Sequence, residues 1–241
     1  MRVDLNDVTF VIPFFADSPE RVDNLHFVLD FLQADFDTNI ILVESDEEPT
    51  SDAADTPHVH YIFHKKEGEI FHRTRVINQG LKMAATSIVS IYDTDVIFDP
   101  FNIIKAAKAI REGADFAYPY SGRFVDIDRS ILEDGLVKER ASFATDSVGG
   151  AVFMNREAYK KAGLENEHII GWGPEDRCRY ERMRILGYQC FRSPGACHHI
   201  EHPRGVNSSA LNPNTDKNTE EMKKVGAMSK EELLKYISTW V

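Results

Sequence analysis

The sequence is short of three things, and each shortage narrows what the chain can be. No apolar run approaches the ~20 residues that a bilayer-spanning helix needs. Cysteine is scarce: Cys178, Cys190 and Cys197 cannot all pair with one another, and their spacing matches no zinc ribbon or redox motif. They read as reduced thiols, which points to a cytoplasmic protein. Basic residues are almost missing from positions 1–60, where Arg2 and Arg21 stand against fourteen acidic side chains. The remainder is nearly neutral, so the net charge of −11 originates in that first stretch. Such a distribution excludes a uniformly basic nucleic-acid binder, which needs Lys and Arg to displace phosphate counterions. The acidic opening Met1-Arg2-Val3-Asp4 does not read as a secretory signal. Peripheral association with a membrane, through a partner or a surface patch, stays open.

What is present supports a folded core, with 42% hydrophobic and 10% aromatic residues. The length suits one α/β domain. Val8–Phe15 reads as a buried strand, followed by Ser18 as helix cap and Pro19 in the first turn of a helix over 20–36. Further strands are expected at 39–43, 59–63, 87–92, 115–118, 148–155 and 196–199. Helices are expected at 71–85, 101–111, 171–186 and, from the Ser229/Glu232 capping box, up to Ile237. Residues 120–147 are polar and turn-rich and read as a loop or lid, and 203–218 as a surface loop. The alternation argues for a mostly parallel twisted sheet flanked by helices. Ligands on such sheets bind beyond the carboxyl ends of the strands. Pro13-Phe14 through Arg21, Glu44-Ser45-Asp46 and Asp93-Thr94-Asp95 all fall there.

Three clusters carry candidate chemistry. Asp93-Thr94-Asp95 closes an apolar strand, and two carboxylates at an extended tip suit a hard cation, although a solvated turn also uses such residues. In His198-His199-Ile200-Glu201-His202 the pair His199/His202 can converge on one metal if a turn intervenes; a histidine-rich surface loop is the alternative. Being adjacent on a strand, His198 and His199 point opposite ways, so one of them reaches a given site. Glu175-Asp176 opens a helix behind Gly171-Trp172-Gly173-Pro174. Dipole complementation, about 0.3–1 kcal/mol per acidic residue, accounts for the charges there. It does not account for a tryptophan between two glycines, which suits a sugar platform beside a general base.

Taken in order, Phe71-His72-Arg73-Thr74-Arg75-Val76-Ile77-Asn78-Gln79-Gly80, Asp93-Thr94-Asp95, Gly149-Gly150, Gly171-Trp172-Gly173-Pro174-Glu175-Asp176 and His199-Ile200-Glu201-His202 resemble the β-1,4-galactosyltransferase-like glycosyltransferases. That wider set includes chondroitin polymerase-type and polypeptide N-acetylgalactosaminyltransferase-type enzymes with the GT-A fold. The resemblance runs from Phe10 to about His202.

It implies a GT-A-like domain over 1–241. Residues 1–119 would form the nucleotide-binding half, 120–216 the acceptor and metal half, and 217–241 a C-terminal helical tail. The implied activity is metal-dependent, inverting transfer of galactose or an N-acetylhexosamine from a UDP-sugar donor to a saccharide acceptor. By resemblance, Asp95, His199 and His202 hold Mn²⁺ or Mg²⁺, and Asp93 contacts the donor ribose or the metal shell. Pro13, Phe14, Arg21 and Glu44 mark the nucleotide-binding strand ends, and Phe71 and Arg73 the uracil and phosphate neighbourhood. Gly150, Trp172 and Gly173 line the substrate pocket, Asp176 is the catalytic base and Glu175 its acidic neighbour. Two positions depart from the family pattern: Phe14-Phe15-Ala16-Asp17 replace its basic residues after the first strand, and Arg177 replaces a third acidic residue that holds the acceptor sugar. The rival readings are a non-catalytic nucleotide-sugar-binding protein and a metal hydrolase built on His199, His202 and Glu201.

Overall fold

The computed structural model describes residues 2–50 and 56–240. Strand β1 (Val3–Phe14) starts five residues before the apolar run, because Val3, Asp4 and Leu5 still pair with Phe36, Asp37 and Thr38 of the neighbouring strand before the register shifts between Leu5 and Thr9. Ser18 caps helix α1 (Pro19–Asp35), accepting the Arg21 N–H at 3.3 Å, and Leu25, Val28, Leu29 and Leu32 form its buried face. Next come β2 (Phe36–Asp46), β3 (Val59–Lys65), α2 (Arg73–Met83), β4 (Ile88–Tyr92), the two-residue β5 (Val96–Ile97) and α3 (Pro100–Arg111). The second half holds β6 (Phe116–Tyr118), β7 (Arg123–Ile127), α4 (Ile131–Asp134), β8 (Glu139–Ala144), β9 (Ala151–Asn155) and α5 (Arg156–Lys161). It ends with α6 (Glu175–Leu186), β10 (Cys190–Arg192), β11 (Ala196–Ile200), α7 (Thr215–Gly226) and α8 (Lys230–Ile237).

Seven strands form one sheet in the order β10-β6-β9-β4-β1-β2-β3. Its pairings are parallel except where β9 runs antiparallel between β4 and β6. The mixed α/β architecture, a large and mostly parallel sheet flanked by helices, is the expected one. At its centre Phe10 packs edge-on against Tyr92 and Phe153, with ring centroids 5.6 Å apart in both pairs. Each such fully buried aromatic contributes about 1.5–3 kcal/mol through area removed from water. This rigid centre fixes where β1 and β4 end, and therefore where the polar tips that follow them sit.

The expectation of a loop over 120–147 is corrected. Those residues supply β7, α4 and β8, and a second sheet forms in the order β5-β11-β7-β8. One face of this sheet is polar and β8 is an exposed edge, so no apolar run announces it. Likewise, 203–218 is not wholly a loop, since α7 begins at Thr215. The expected final helix is present as α8, with both halves of the Ser229/Glu232 capping box formed. No described helix is long and apolar enough to cross a membrane.

Candidate active site

The second sheet assembles the acidic tip and the histidines. Asp95 is followed at once by β5, which pairs antiparallel with β11 so that Val96 faces His199 and Ile97 faces His198. The Ile200 N–H donates to the Asp95 carbonyl at 2.7 Å and locks that register. On the other side β7 runs parallel to β11 and sets Asp126 beside His199. Alternation along β11 sends His199 inward and His198 out to Glu139, 3.5 Å away. The chain beyond β11 then brings His202 round to the same point. One ligand atom each from Asp95, His199 and His202 lie within 4.8 Å of one another.

The hydrogen bonds around this triad fit a cation. His199 Nδ1 lies 2.7 Å from Asp126 Oδ1, and His202 Nδ1 lies 2.7 Å from the Pro203 carbonyl. A carbonyl can only accept, so the network assigns the His202 proton to Nδ1, and the Asp126 carboxylate does the same for His199. Both Nε2 lone pairs then face Asp95 Oδ2, at 3.1 Å from His202 and 3.8 Å from His199. Arg21 supplies the positive charge there, donating to Asp95 Oδ2 at 3.0 Å and to His202 Nε2 at 3.2 Å while paired with Asp17 at 2.8 Å. Burial opposes ionisation of Asp95, but when the two imidazoles are protonated their charges, together with that of Arg21, outweigh it and hold its carboxyl well below the usual range.

Beside the triad lies a second charged group. Arg73, in the first turn of α2, donates to Asp93 at 2.5 Å and to Glu175 at 3.1 Å. Gly150 positions Asp93: its carbonyl accepts the Asp93 N–H at 2.9 Å. Gly150 has φ +82, and a Cβ there would lie 2.8 Å from Cys197 Sγ, so a side chain fits neither the backbone nor the space. Burial, and then the charges of Asp95 and Asp176, raise the Asp93 carboxyl against the pull of Arg73. Burial followed by the adjacent Asp176 pushes Glu175 up to about 8, again against Arg73. Glu175 Oε2 is buried without a hydrogen-bond partner, as expected of a carboxyl held out of water.

That raised value makes a stability prediction. A carboxyl whose folded pKa exceeds its unfolded value of 4.5 favours the fold fully below 4.5 and loses that contribution as pH climbs through about 8. Between pH 5 and 8 the wild-type chain is therefore expected to lose on the order of a few kcal/mol relative to Glu175→Gln, whatever the variant's absolute stability. Denaturant unfolding at several pH values measures this. Parallel curves for the two proteins would refute it.

These groups line one cleft of about 460 Å³. Pro13, Arg21, Phe71, Arg73, Asp93, Asp95, Gly150, Trp172, Gly173, Glu175, Asp176, His199 and His202 all border it. Two expected site residues do not. Phe14 is buried in the core, and the neighbouring Phe15 faces the cleft instead, stacked on Phe71 at 5.5 Å. Glu44 is buried away from the cleft, where its carboxylate accepts from the Thr50 N–H at 2.8 Å and the Tyr61 hydroxyl at 2.7 Å. Glu201 also points elsewhere, to Arg140 at 2.9 Å, so the hydrolase reading lacks its carboxylate. Sequence reasoning missed Phe15, Asp126, Asn212 and Asn218. The last two hold the Trp172 carbonyl at 2.8 and 3.1 Å and fasten the glycine-flanked tryptophan to α7 and the loop before it. Asp126 has no signal of its own in Arg123-Phe124-Val125-Asp126-Ile127, where polar and apolar residues do not strictly alternate.

Residues 138–204 match the family model described as the N-terminal domain of galactosyltransferase. No curated protein matches the chain in sequence. Among solved structures it is similar to the catalytic domain of Drosophila β1,4-galactosyltransferase 7, crystallised with xylobiose. The TM-score is 0.58 and the identity 16%, over 93% of this chain and 82% of that one. The likeness in structure is one of fold, and the matched segment runs from β8 through α6 to just past His202.

Proposed function

We propose that this chain, β-1,4-galactosyltransferase-like in its GT-A fold and a glycosyltransferase by the segment it matches, is a metal-dependent inverting enzyme that uses a UDP-sugar. The observation that carries the reading is the convergence of Asp95, His199 and His202 in the same cleft as Asp176 and Trp172. Two imidazole nitrogens and one carboxylate oxygen form a mixed donor set, which favours Mn²⁺ over the oxygen-demanding Mg²⁺. A bound Mn²⁺ would neutralise charge on the departing diphosphate.

The protein's own groups do the rest. Asp176, at the cleft-facing first turn of α6, accepts the proton of an acceptor hydroxyl. The freed oxygen attacks the anomeric carbon from the face opposite the nucleotide, so the configuration inverts. Asp93 and Glu175 orient Arg73 along the cleft wall, and its charge favours the developing anion. The stacked Phe15 and Phe71 offer a flat apolar surface for a base, and Trp172 one for a sugar ring. Arg177 pairs with Asp146 at 3.0 Å on the cleft rim, and its positive charge argues against a copied N-acetylglucosamine acceptor site. We place the activity in the cytoplasm, from the unpaired cysteines.

A thermal-shift panel of UDP, GDP, CDP and TDP with and without Mn²⁺ tests the donor class. UDP with Mn²⁺ is expected to raise the melting temperature by several degrees and the other nucleotides by less. Absence of any metal-dependent nucleotide effect would sink the proposal.

A further inference from the structure

The geometry points to Arg179 and Gly149 as positioning residues that fix the carboxylate of Asp176 from two sides. This rests on the reading of Asp176 as the base. Arg179 lies one turn along α6 and is 3% exposed, whereas the Asp176 side chain is 26% exposed and faces the cleft. Its guanidinium is fully committed. Nε donates to Glu165 Oε1 at 2.7 Å and one terminal nitrogen to Glu165 Oε2 at 3.2 Å. The other terminal nitrogen reaches Asp176 Oδ1 at 2.8 Å. Among the described residues, Arg179 is the cation in direct contact with Asp176.

Glu165 is itself held on every side. The Tyr159 hydroxyl donates to its carboxylate, and Asn78 of α2 binds its main chain at 2.8 Å through N–H and 3.1 Å through the carbonyl. A buried Arg–Glu pair would already be neutral and satisfied as a packing element. The third contact, from a buried cation to a cleft carboxylate, is what a structural pair alone does not need. It leaves Oδ1 engaged, so the second oxygen, Oδ2, is the one left to take a proton.

Gly149 sets the position of Oδ2. A Cβ at Gly149 would lie 2.8 Å from Asp176 Oδ2, and the next nearest atoms, at 3.6 and 3.9 Å, are in ordinary contact range. Its backbone is not in the left-handed region, so alanine is accommodated there at the expense of Asp176 alone. Because that oxygen ends a short side chain, the cheapest response to a methyl group is rotation of the carboxylate and not disruption of the fold. An error of about 1 Å in a reacting group is enough to cost on the order of a hundredfold in rate.

The test compares wild type with Gly149→Ala, Arg179→Lys and the charge-balanced double variant Arg179→Met/Glu165→Gln, which removes both members of the buried pair. UDP-galactose, UDP-N-acetylglucosamine and UDP-N-acetylgalactosamine are the donor probes, offered with a panel of monosaccharide glycosides. Rates are expressed per UDP-binding site, titrated calorimetrically with Mn²⁺. Gly149→Ala and the double variant are expected to lose at least tenfold in kcat with donor KM and UDP affinity within twofold of wild type. Arg179→Lys, which keeps the charge, is expected to recover part of that loss. An unchanged kcat, or a parallel fall in kcat and UDP affinity, would overturn the inference and leave only a packing role. If Asp176→Asn itself keeps the full rate, the reading of the site fails and the inference falls with it. That result is separable from the others because it appears without touching Arg179 or Gly149.

Discussion

Asp176→Asn is expected to lower kcat for sugar transfer by about 10²–10⁴-fold, the contribution of a well-placed general base, while UDP and Mn²⁺ affinities stay within about twofold. Asparagine keeps the size of the side chain, and its amide oxygen still accepts from Arg179, whose nitrogen now reaches Asp176 Oδ1 at 2.8 Å. What it cannot do is take a proton. The competing explanation for an acidic residue here is its place in the first turn of α6, where a negative charge stabilises a helix by about 0.3–1 kcal/mol. That effect would lower the melting temperature slightly and leave the rate alone. A thousandfold rate loss corresponds to about 4 kcal/mol of transition-state stabilisation, so the two accounts differ several-fold in size and in the quantity affected. Initial rates with a UDP-sugar donor, alongside calorimetric UDP titration, separate them. A variant retaining more than a tenth of the wild-type rate would remove Asp176 from the chemistry and restore the non-catalytic nucleotide-sugar-binding reading.

How far the sequence reveals the site depends on which face of each strand carries the information. The tip Asp93-Thr94-Asp95 is legible because β4 is apolar apart from Ser90 and stops sharply. The start and end of α6 were legible from Pro174 and Gly187, which lie where the helix begins and where its left-handed cap, φ +84, closes it. Phe14 and Phe15 show the opposite case. A strand buried on both faces is a continuous apolar run with no alternation, so its phase cannot be read. The structure turns Phe14 into the core and gives Phe15 to the cleft. Glu44 misled for a related reason. It ends an apolar strand as Asp93 does, but the β2–β3 pairing supplies Tyr61 and consumes its carboxylate. Asp126 was hidden because its partner, His199, lies 73 residues away and meets it only through the β7–β11 register. Residues with a local signal, such as the Asp93-Thr94-Asp95 tip, are thus legible in the sequence, whereas a partner such as Asp126 follows only from strand pairing.

Asp95→Ala is expected to abolish the metal-dependent part of nucleotide binding, and here the size of the effect follows from linkage. A ligand at a hundred times its dissociation constant stabilises the folded state by about 2.7 kcal/mol. For a chain of this length each kcal/mol raises the melting temperature by roughly 2–4 °C, so wild type with UDP and Mn²⁺ should gain several degrees. The variant keeps His199 and His202, whose Nε2 atoms lie 3.8 and 3.1 Å from the deleted oxygen, but two neutral imidazoles lack the anionic oxygen that a divalent manganese ion favours. It should show almost no shift with Mn²⁺, and Mn²⁺ titrated into the protein and followed by electron paramagnetic resonance should remain largely free. The substitution also removes one partner of Arg21. That cation keeps Asp17 at 2.8 Å, so the chain should remain folded and the loss of binding is not a loss of structure. Asp93 provides the internal contrast. It lies two residues away and bears the same charge, yet Arg73 engages it at 2.5 Å, outside the triad of atoms that converge within 4.8 Å. If Mn²⁺ binding survived Asp95→Ala, the cation would have to sit elsewhere in the cleft, and the geometry of β5 against β11 would lose its functional meaning.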